Sequence, residues 1–144
     1  MHQLFRTKEF LKHRLTAGNE HDIHSPFVFD LYTNVIIDNS SFYAFEKIES
    51  IRAKMLLSEE KIPVFDFGTG GEEKSQRMLP LSFIAKNFVK PKKEAQLLFR
   101  LVNFFRPENI LEIGTSLGIT TLYLATPSGK SKVVTVEGCP NTSL

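Results

Sequence analysis

The sequence predicts an α/β protein in which an N-terminal helical region precedes the first strand–helix–strand (βαβ) unit of a parallel sheet. Two apolar runs, Ile110–Ile113 and Val133–Val136, flank a helical pattern over Ile119–Ala125. A strand, a helix and a second strand in this order form a crossover connection, which only parallel strands need. Before Pro107, apolar residues recur mostly at helical spacing. The chain therefore changes character near Pro107.

The region before Pro107 contains five predicted helices. Ser25 and Pro26 give a clear helix start, because serine caps the first turn and proline fits the first helical position. The predicted helices cover residues 4–16, 26–37, 42–57, 81–89 and 92–105.

A glycine-rich segment, Val64–Gly71, follows the third of these helices. It reads Val-Phe-Asp-Phe-Gly-Thr-Gly-Gly, which by itself suits a strand followed by a ligand-binding turn. The charged run Glu72–Arg77 and Pro80 follow, and no β-branched strand ending in an acid appears at the right distance. We interpret the segment as a glycine turn after a short strand, with a ligand loop or a flap near the site as the alternative.

The turn Gly114–Gly118 has the spacing of a nucleoside site. Glycines after a first strand let a ligand approach the backbone, and an acid at the end of the second strand can accept hydrogen bonds from both ribose hydroxyls. Glu137 follows Gly114 by 23 residues, close to the roughly 20 typical of nucleoside-binding units. The alternative is an α/β unit whose glycines serve only the turn.

Glu112 indicates which nucleoside to expect. Its carboxylate lies two residues before Gly114, where it would repel a pyrophosphate but suit a ligand with an ammonium group and no phosphate. S-adenosylmethionine is such a ligand.

The segment Leu111–Thr120, LEIGTSLGIT, resembles the first motif of class I S-adenosylmethionine-dependent methyltransferases. With a non-glycine residue in the middle, it is similar to the catechol and caffeoyl-CoA type O-methyltransferases. The resemblance covers roughly residues 90–140, including the helix before the first strand. It implies a Rossmann-like methyltransferase sheet of which this chain contains the start, and a small-molecule methyl acceptor.

The resemblance also implies roles for individual residues. Gly114 and Thr115 would lie against the methionine part of the cofactor, and Glu112 would face its ammonium group. Glu137 would bind the ribose diol, whereas Ser116 stands where many members have glycine. The implied cofactor-binding residues are Glu112, Gly114, Thr115, Ser116, Gly118 and Glu137.

The chain ends soon after the second strand, before the positions where such enzymes carry the adenine-binding acid, the catalytic base and any metal-binding carboxylates. We therefore assign no catalytic residue and no metal ligand. We divide the chain into a mainly helical cap or lid region, residues 1–107, and a truncated cofactor domain, residues 108–144. We expect the chain to be inactive alone and to self-associate through its bare strands.

Composition narrows the remaining choices. The net charge of +2 and the scattered basic residues give no specific nucleic-acid signal, and no apolar run predicts a membrane span. The single cysteine, Cys139, excludes an internal disulfide and favours a reducing cytoplasm. Two alternatives stay open: an NAD(P)-binding oxidoreductase, although Ile113 stands where short-chain dehydrogenases have threonine, and a non-catalytic helical interaction module.

Overall fold

The computed structural model describes residues 2–18, 23–65 and 76–142, and in them the fold is mixed α/β. It contains six helices and two small sheets, which confirms the predicted α/β class. The helices are α1 (His2–Thr16), α2 (Pro26–Leu31, continued by a π-helical turn over Tyr32–Ile36), α3 (Tyr43–Leu56), α4 (Leu81–Asn87), α5 (Lys92–Phe105) and α6 (Ile119–Ala125). The strands are β1 (Lys61–Phe65), β2 (Gln76–Pro80), β3 (Asn109–Ile113) and β4 (Lys132–Val136).

The chain forms two compact units, Met1–Asp38 and Asn39–Leu144. In the first unit, Ser25 caps α2 as predicted: its hydroxyl accepts a hydrogen bond from the amide of Val28 at 3.4 Å, and Pro26 occupies the first turn. This cap explains why α2 begins where it does.

The core of the second unit joins α3, α5 and α6. The ring of Phe45 lies 5.0 Å from that of Phe99 and 5.5 Å from that of Tyr123, in both cases in the edge-on arrangement that aromatic pairs favour. The Tyr123 hydroxyl also donates to Glu49 Oε1 at 2.8 Å, which fixes α6 against α3. The buried core residues are Ala44, Phe45, Ile48, Val89, Ala95, Phe99, Ile119 and Tyr123.

This core contains residues from both sides of Pro107. The division into a helical region of residues 1–107 and a cofactor domain from residue 108 stays a prediction, because the compactness of a unit does not show where a larger domain begins.

Strands β3 and β4 pair in parallel, with α6 between them in the chain. Their inner face carries Glu112, which is buried, whereas Leu111 and Ile113 on the other face are 66% and 84% exposed. An apolar run of this kind is typical of a strand buried on both faces, but in the described part of the chain β3 is covered on one face only. A two-stranded sheet has only one covered side here, so the alternate side chains of each strand face solvent.

Strands β1 and β2 form an antiparallel hairpin in which Val64 lies opposite Arg77. The short strand expected before the glycine turn is thus present at Lys61–Phe65. Its partner β2 is a strand that the sequence did not predict. Pro80 is compatible with β2 because it occupies the last position of the strand, directly before α4. The glycines of Val64–Gly71 lie outside the described residues.

Candidate cofactor site at the carboxyl ends of the parallel strands

The turn after β3 combines three residues with a left-handed backbone. Gly114 has φ +94°, Ser116 +47° and Gly118 +72°. A Cβ added at Gly114 or Gly118 would meet no atom within 4 Å, so open space lies in front of both. The positive φ angles, and not contacts with neighbouring atoms, therefore favour glycine at these two positions. The amide of Gly114 donates to the carbonyl of Val136 at 2.8 Å, which extends the parallel ladder into the turn.

Glu137 follows β4 directly and reaches this turn. Its Oε2 accepts a hydrogen bond from the amide of Ser116 at 2.7 Å, and its Oε1 accepts one from the amide of Cys139 at 2.9 Å. Burial raises the pKa of Glu137, but the backbone amides around the carboxylate outweigh burial, and the net result is a lowered pKa. The structure thus brings two of the predicted residues together, because the backbone of Ser116 binds the ionised carboxylate of Glu137.

Glu112 lies beneath the turn and is only 8% exposed. Its Oε2 accepts hydrogen bonds from the hydroxyls of Thr121, at 2.5 Å, and Thr135, at 2.8 Å. The Thr115 hydroxyl lies 2.6 Å from that of Thr135. The single hydroxyl hydrogen of Thr135 is already donated to Glu112, so Thr115 must be the donor in this contact. The other oxygen, Glu112 Oε1, is buried and has no hydrogen-bond partner among the described residues.

Two cavities meet at this edge of the sheet. The first, of about 600 Å³, is lined by four of the predicted residues, and the second, of about 440 Å³, by Glu137 and Cys139. Ser116 lines both. The four residues in the first cavity are Glu112, Gly114, Thr115 and Ser116. Gly118 is not among the residues lining either cavity; it precedes α6 and accepts a hydrogen bond from Leu122.

Sequence reasoning missed two residues of the Glu112 network. Thr135 lies directly opposite Glu112 in the parallel register, so aligning the two strands could have revealed it. No comparable signal exists for Thr121, which reaches Glu112 only because of the way α6 packs on the sheet. The role of the Cys139 amide at Glu137 was also missed, since backbone donors leave no trace in a sequence.

Cys139 joins the hairpin to the site. Its buried sulfur accepts a hydrogen bond from the amide of Phe65 at 3.4 Å. Burial raises the pKa of this thiol, but hydrogen bonds from the amide of Phe65 and from neighbouring donors together have the larger effect. The net pKa is therefore lowered. The contact places the end of β1 beside Glu137.

Comparison of the chain with protein-family models, with curated proteins and with solved structures gives no match. In the described parts of the chain, no three or more His, Cys, Asp or Glu side chains come together as metal ligands. None of the helices described is both long and apolar enough to cross a membrane.

Proposed function

We propose that this chain binds S-adenosylmethionine as a class I, O-methyltransferase-like protein with a Rossmann-like sheet. One observation carries the proposal: the carboxylate of Glu137 meets the turn Gly114–Gly118 at the carboxyl ends of two parallel strands. Ligands of open parallel sheets bind outside the carboxyl ends of the strands. A ribose diol at Glu137 would therefore lie beside the glycine turn.

The residues present fit this cofactor. Within the described part of the chain Glu112 Oε1 is a buried acceptor without a partner, and the first cavity, which Glu112 helps to line, offers room for an ammonium group beside the turn. The open space before Gly114 admits a ligand close to the backbone. In this arrangement Glu112 holds the amino-acid end and Glu137 the ribose. When bound, S-adenosylmethionine supplies an activated methyl group on a sulfonium.

Glu112 also supports this cofactor over a dinucleotide. A buried carboxylate two residues before the turn would repel a pyrophosphate placed there, whereas it would attract an ammonium group. The acid Glu137 suits the ribose of either ligand and does not separate them. An NAD(P)-binding oxidoreductase is therefore the second candidate, and Glu112 is the residue that disfavours it.

The described residues bind and orient, and none is assigned as a base. The hydroxyls of Thr121 and Thr135 hold Glu112 in place, and the amides of Ser116 and Cys139 hold Glu137. The methyl acceptor in this proposal is a small molecule, and efficient transfer would require that both reactants be held in place.

The test is calorimetric titration of the protein with S-adenosylhomocysteine and, separately, with NAD. We expect S-adenosylhomocysteine to bind and NAD to give no heat of binding. Binding of NAD without binding of S-adenosylhomocysteine would favour the NAD(P)-binding oxidoreductase. A folded protein that binds neither would contradict the cofactor site and leave the non-catalytic interaction module.

A further inference from the structure

The second cavity is walled by parts of the chain that lie upstream of the methyltransferase-like stretch. Its volume is about 440 Å³, within the range of small-molecule sites. The hairpin β1–β2, helix α4 and the residue after it supply its apolar walls. Ser116 and the segment after β4, with Glu137, Cys139 and Thr142, supply its polar floor. The apolar lining residues are Val64, Phe65, Leu79, Phe83, Ile84 and Phe88.

We infer that this cavity binds a flat aromatic ring system. The rings of Phe83 and Phe88 lie 6.0 Å apart at 72°, so the wall presents both a ring face and a ring edge. The aliphatic side chains of Val64 and Leu79 complete a wall that removes a planar ligand from water. A largely apolar cavity with a few convergent polar groups is the usual form of a small-molecule site.

Charged groups set the polarity of the ligand. Arg77 is the lining residue with a positive charge and Glu137 the one with a negative charge, and the ion pairs among the described residues involve other side chains. A guanidinium stacks on planar rings and donates to ring nitrogens or to an anionic substituent. The ligand should therefore carry an acceptor near Arg77 and a hydrogen-bond donor near Glu137.

Two sources could supply such a ring. One is the base of the nucleoside whose ribose is held by Glu137, since Ser116 connects this cavity to the glycine turn. The other is a separate aromatic ligand, such as a phenolic methyl acceptor. The inference stands on the cavity itself; only the nucleoside source rests on the proposed function.

Methyl-resolved NMR separates the two sources. The probes are adenosine and 4-hydroxycinnamate, added separately to the protein labelled at Ile, Leu and Val methyls. An aromatic ring in the cavity shifts the methyl resonances of Val64, Leu79 and Ile84 by its ring current. The methyls of Val134, on the exposed face of the parallel sheet, serve as the control and should not move. Shifts with adenosine identify the base, and shifts with 4-hydroxycinnamate alone identify a separate ligand. No shift with either probe overturns the inference.

A matched pair of variants tests the wall. Phe83 and Phe105 are 46% and 52% exposed, both lie on helices, and Phe105 is not among the residues lining the cavity. We expect Phe83→Ala to weaken binding of the active probe about 5- to 100-fold, the range for loss of one stacking side chain, and Phe105→Ala to leave it unchanged. The exposed Arg77 gives a second variant, Arg77→Gln, which should weaken the same probe without disturbing the fold.

Equal affinity of Phe83→Ala, Arg77→Gln and Phe105→Ala would overturn the inference. The calorimetric titration with S-adenosylhomocysteine distinguishes this failure from that of the proposed function. If S-adenosylhomocysteine binds but neither probe shifts the cavity methyls, the aromatic site fails and the cofactor site stands. If 4-hydroxycinnamate shifts them but S-adenosylhomocysteine does not bind, the cofactor site fails and the aromatic site stands.

Discussion

The amide nitrogen of Ser116 lies 2.7 Å from Oε2 of Glu137, across 21 residues of chain. This hydrogen bond joins the middle of the turn after β3 to the end of β4. Ser116 has a left-handed backbone with φ +47°, which is uncommon for serine. Because a second amide, that of Cys139, holds the other carboxylate oxygen, the acid is fixed at the turn before any ligand arrives.

Removal of the Glu137 carboxylate should weaken nucleoside binding. Glu137→Ala is expected to cost about 1–3 kcal/mol of S-adenosylhomocysteine affinity, because the ribose hydroxyls lose their acceptor. Glu137→Gln keeps one acceptor oxygen and should lose less. Calorimetry on both variants, with Glu108→Ala at the other end of the sheet as the control, measures the effect. Unchanged affinity in Glu137→Ala would exclude Glu137 as the ribose acid.

The lowered pKa of Glu137 predicts how stability depends on pH. A carboxyl whose pKa is lower in the folded state stabilises the fold fully above its unfolded pKa, about 4.3, and loses this contribution as pH falls through the folded pKa. The stability difference between the wild type and Glu137→Gln should therefore be constant near neutral pH and shrink in acid. Urea unfolding at a series of pH values measures it. A difference that grows on acidification would mean that the pKa is raised.

The sequence predicted local structure well where a repeating pattern or a cap defined it. The helix Ile119–Ala125 has the predicted bounds, and Ser25 caps α2 as expected. Strand β2 was missed because its residues, Gln76–Pro80, form a strand only by pairing with β1, and such long-range pairing has no local signature. Ile113 is exposed for a related reason: an apolar run shows what a strand could bury, not what covers it.

The candidate site shows the same limit. Glycine spacing and the strand-end acid identified Gly114 and Glu137, because turn geometry and parallel register act over a predictable distance. The network beneath the turn depends on how α6 packs, so Thr121 could not be predicted. The hairpin cavity beside Glu137 could not be predicted either, since its apolar walls come from residues upstream of the whole parallel unit, Val64 to Phe88.

The unpartnered oxygen of Glu112 predicts a selective effect. Glu112→Gln should lower the affinity for S-adenosylhomocysteine about 10- to 100-fold, the value of one charge-assisted hydrogen bond to its ammonium group. It should leave the affinity for adenosine unchanged, because adenosine has no such group. The melting temperature should stay the same or rise, because the substitution removes a buried negative charge. Equal losses for both ligands would contradict the assigned role of Glu112.

The two glycine segments can be compared directly. Gly114→Ala should destabilise the fold by about 1–2 kcal/mol through its left-handed backbone and should also weaken S-adenosylhomocysteine binding. Gly68→Ala and Gly70→Ala, in the segment outside the described residues, should leave cofactor affinity nearly unchanged. Urea unfolding and calorimetry together separate stability from binding. If Gly70→Ala abolishes binding in a normally melting protein while Gly114→Ala does not, the cofactor turn has been assigned to the wrong segment.

The exposed face of the parallel sheet predicts self-association. Leu111 and Ile113 on β3 lie in register with Val134 and Val136 on β4, and all four side chains are exposed. Such an apolar face with open strand edges favours contact between copies. Ile113→Thr keeps a β-branched side chain but lowers the apolar area, so it should raise the monomer fraction.

Leu57 provides the matched control for this prediction, because it is 84% exposed, as is Ile113, but lies at the end of α3. Light scattering coupled to size-exclusion chromatography at several protein concentrations should show more monomer for Ile113→Thr than for Leu57→Thr. The apolar area removed is similar in both variants, so only the position of the side chain differs. Equal shifts would assign the association to general surface hydrophobicity, and a concentration-independent monomer in the wild type would remove the sheet face as a site of contact.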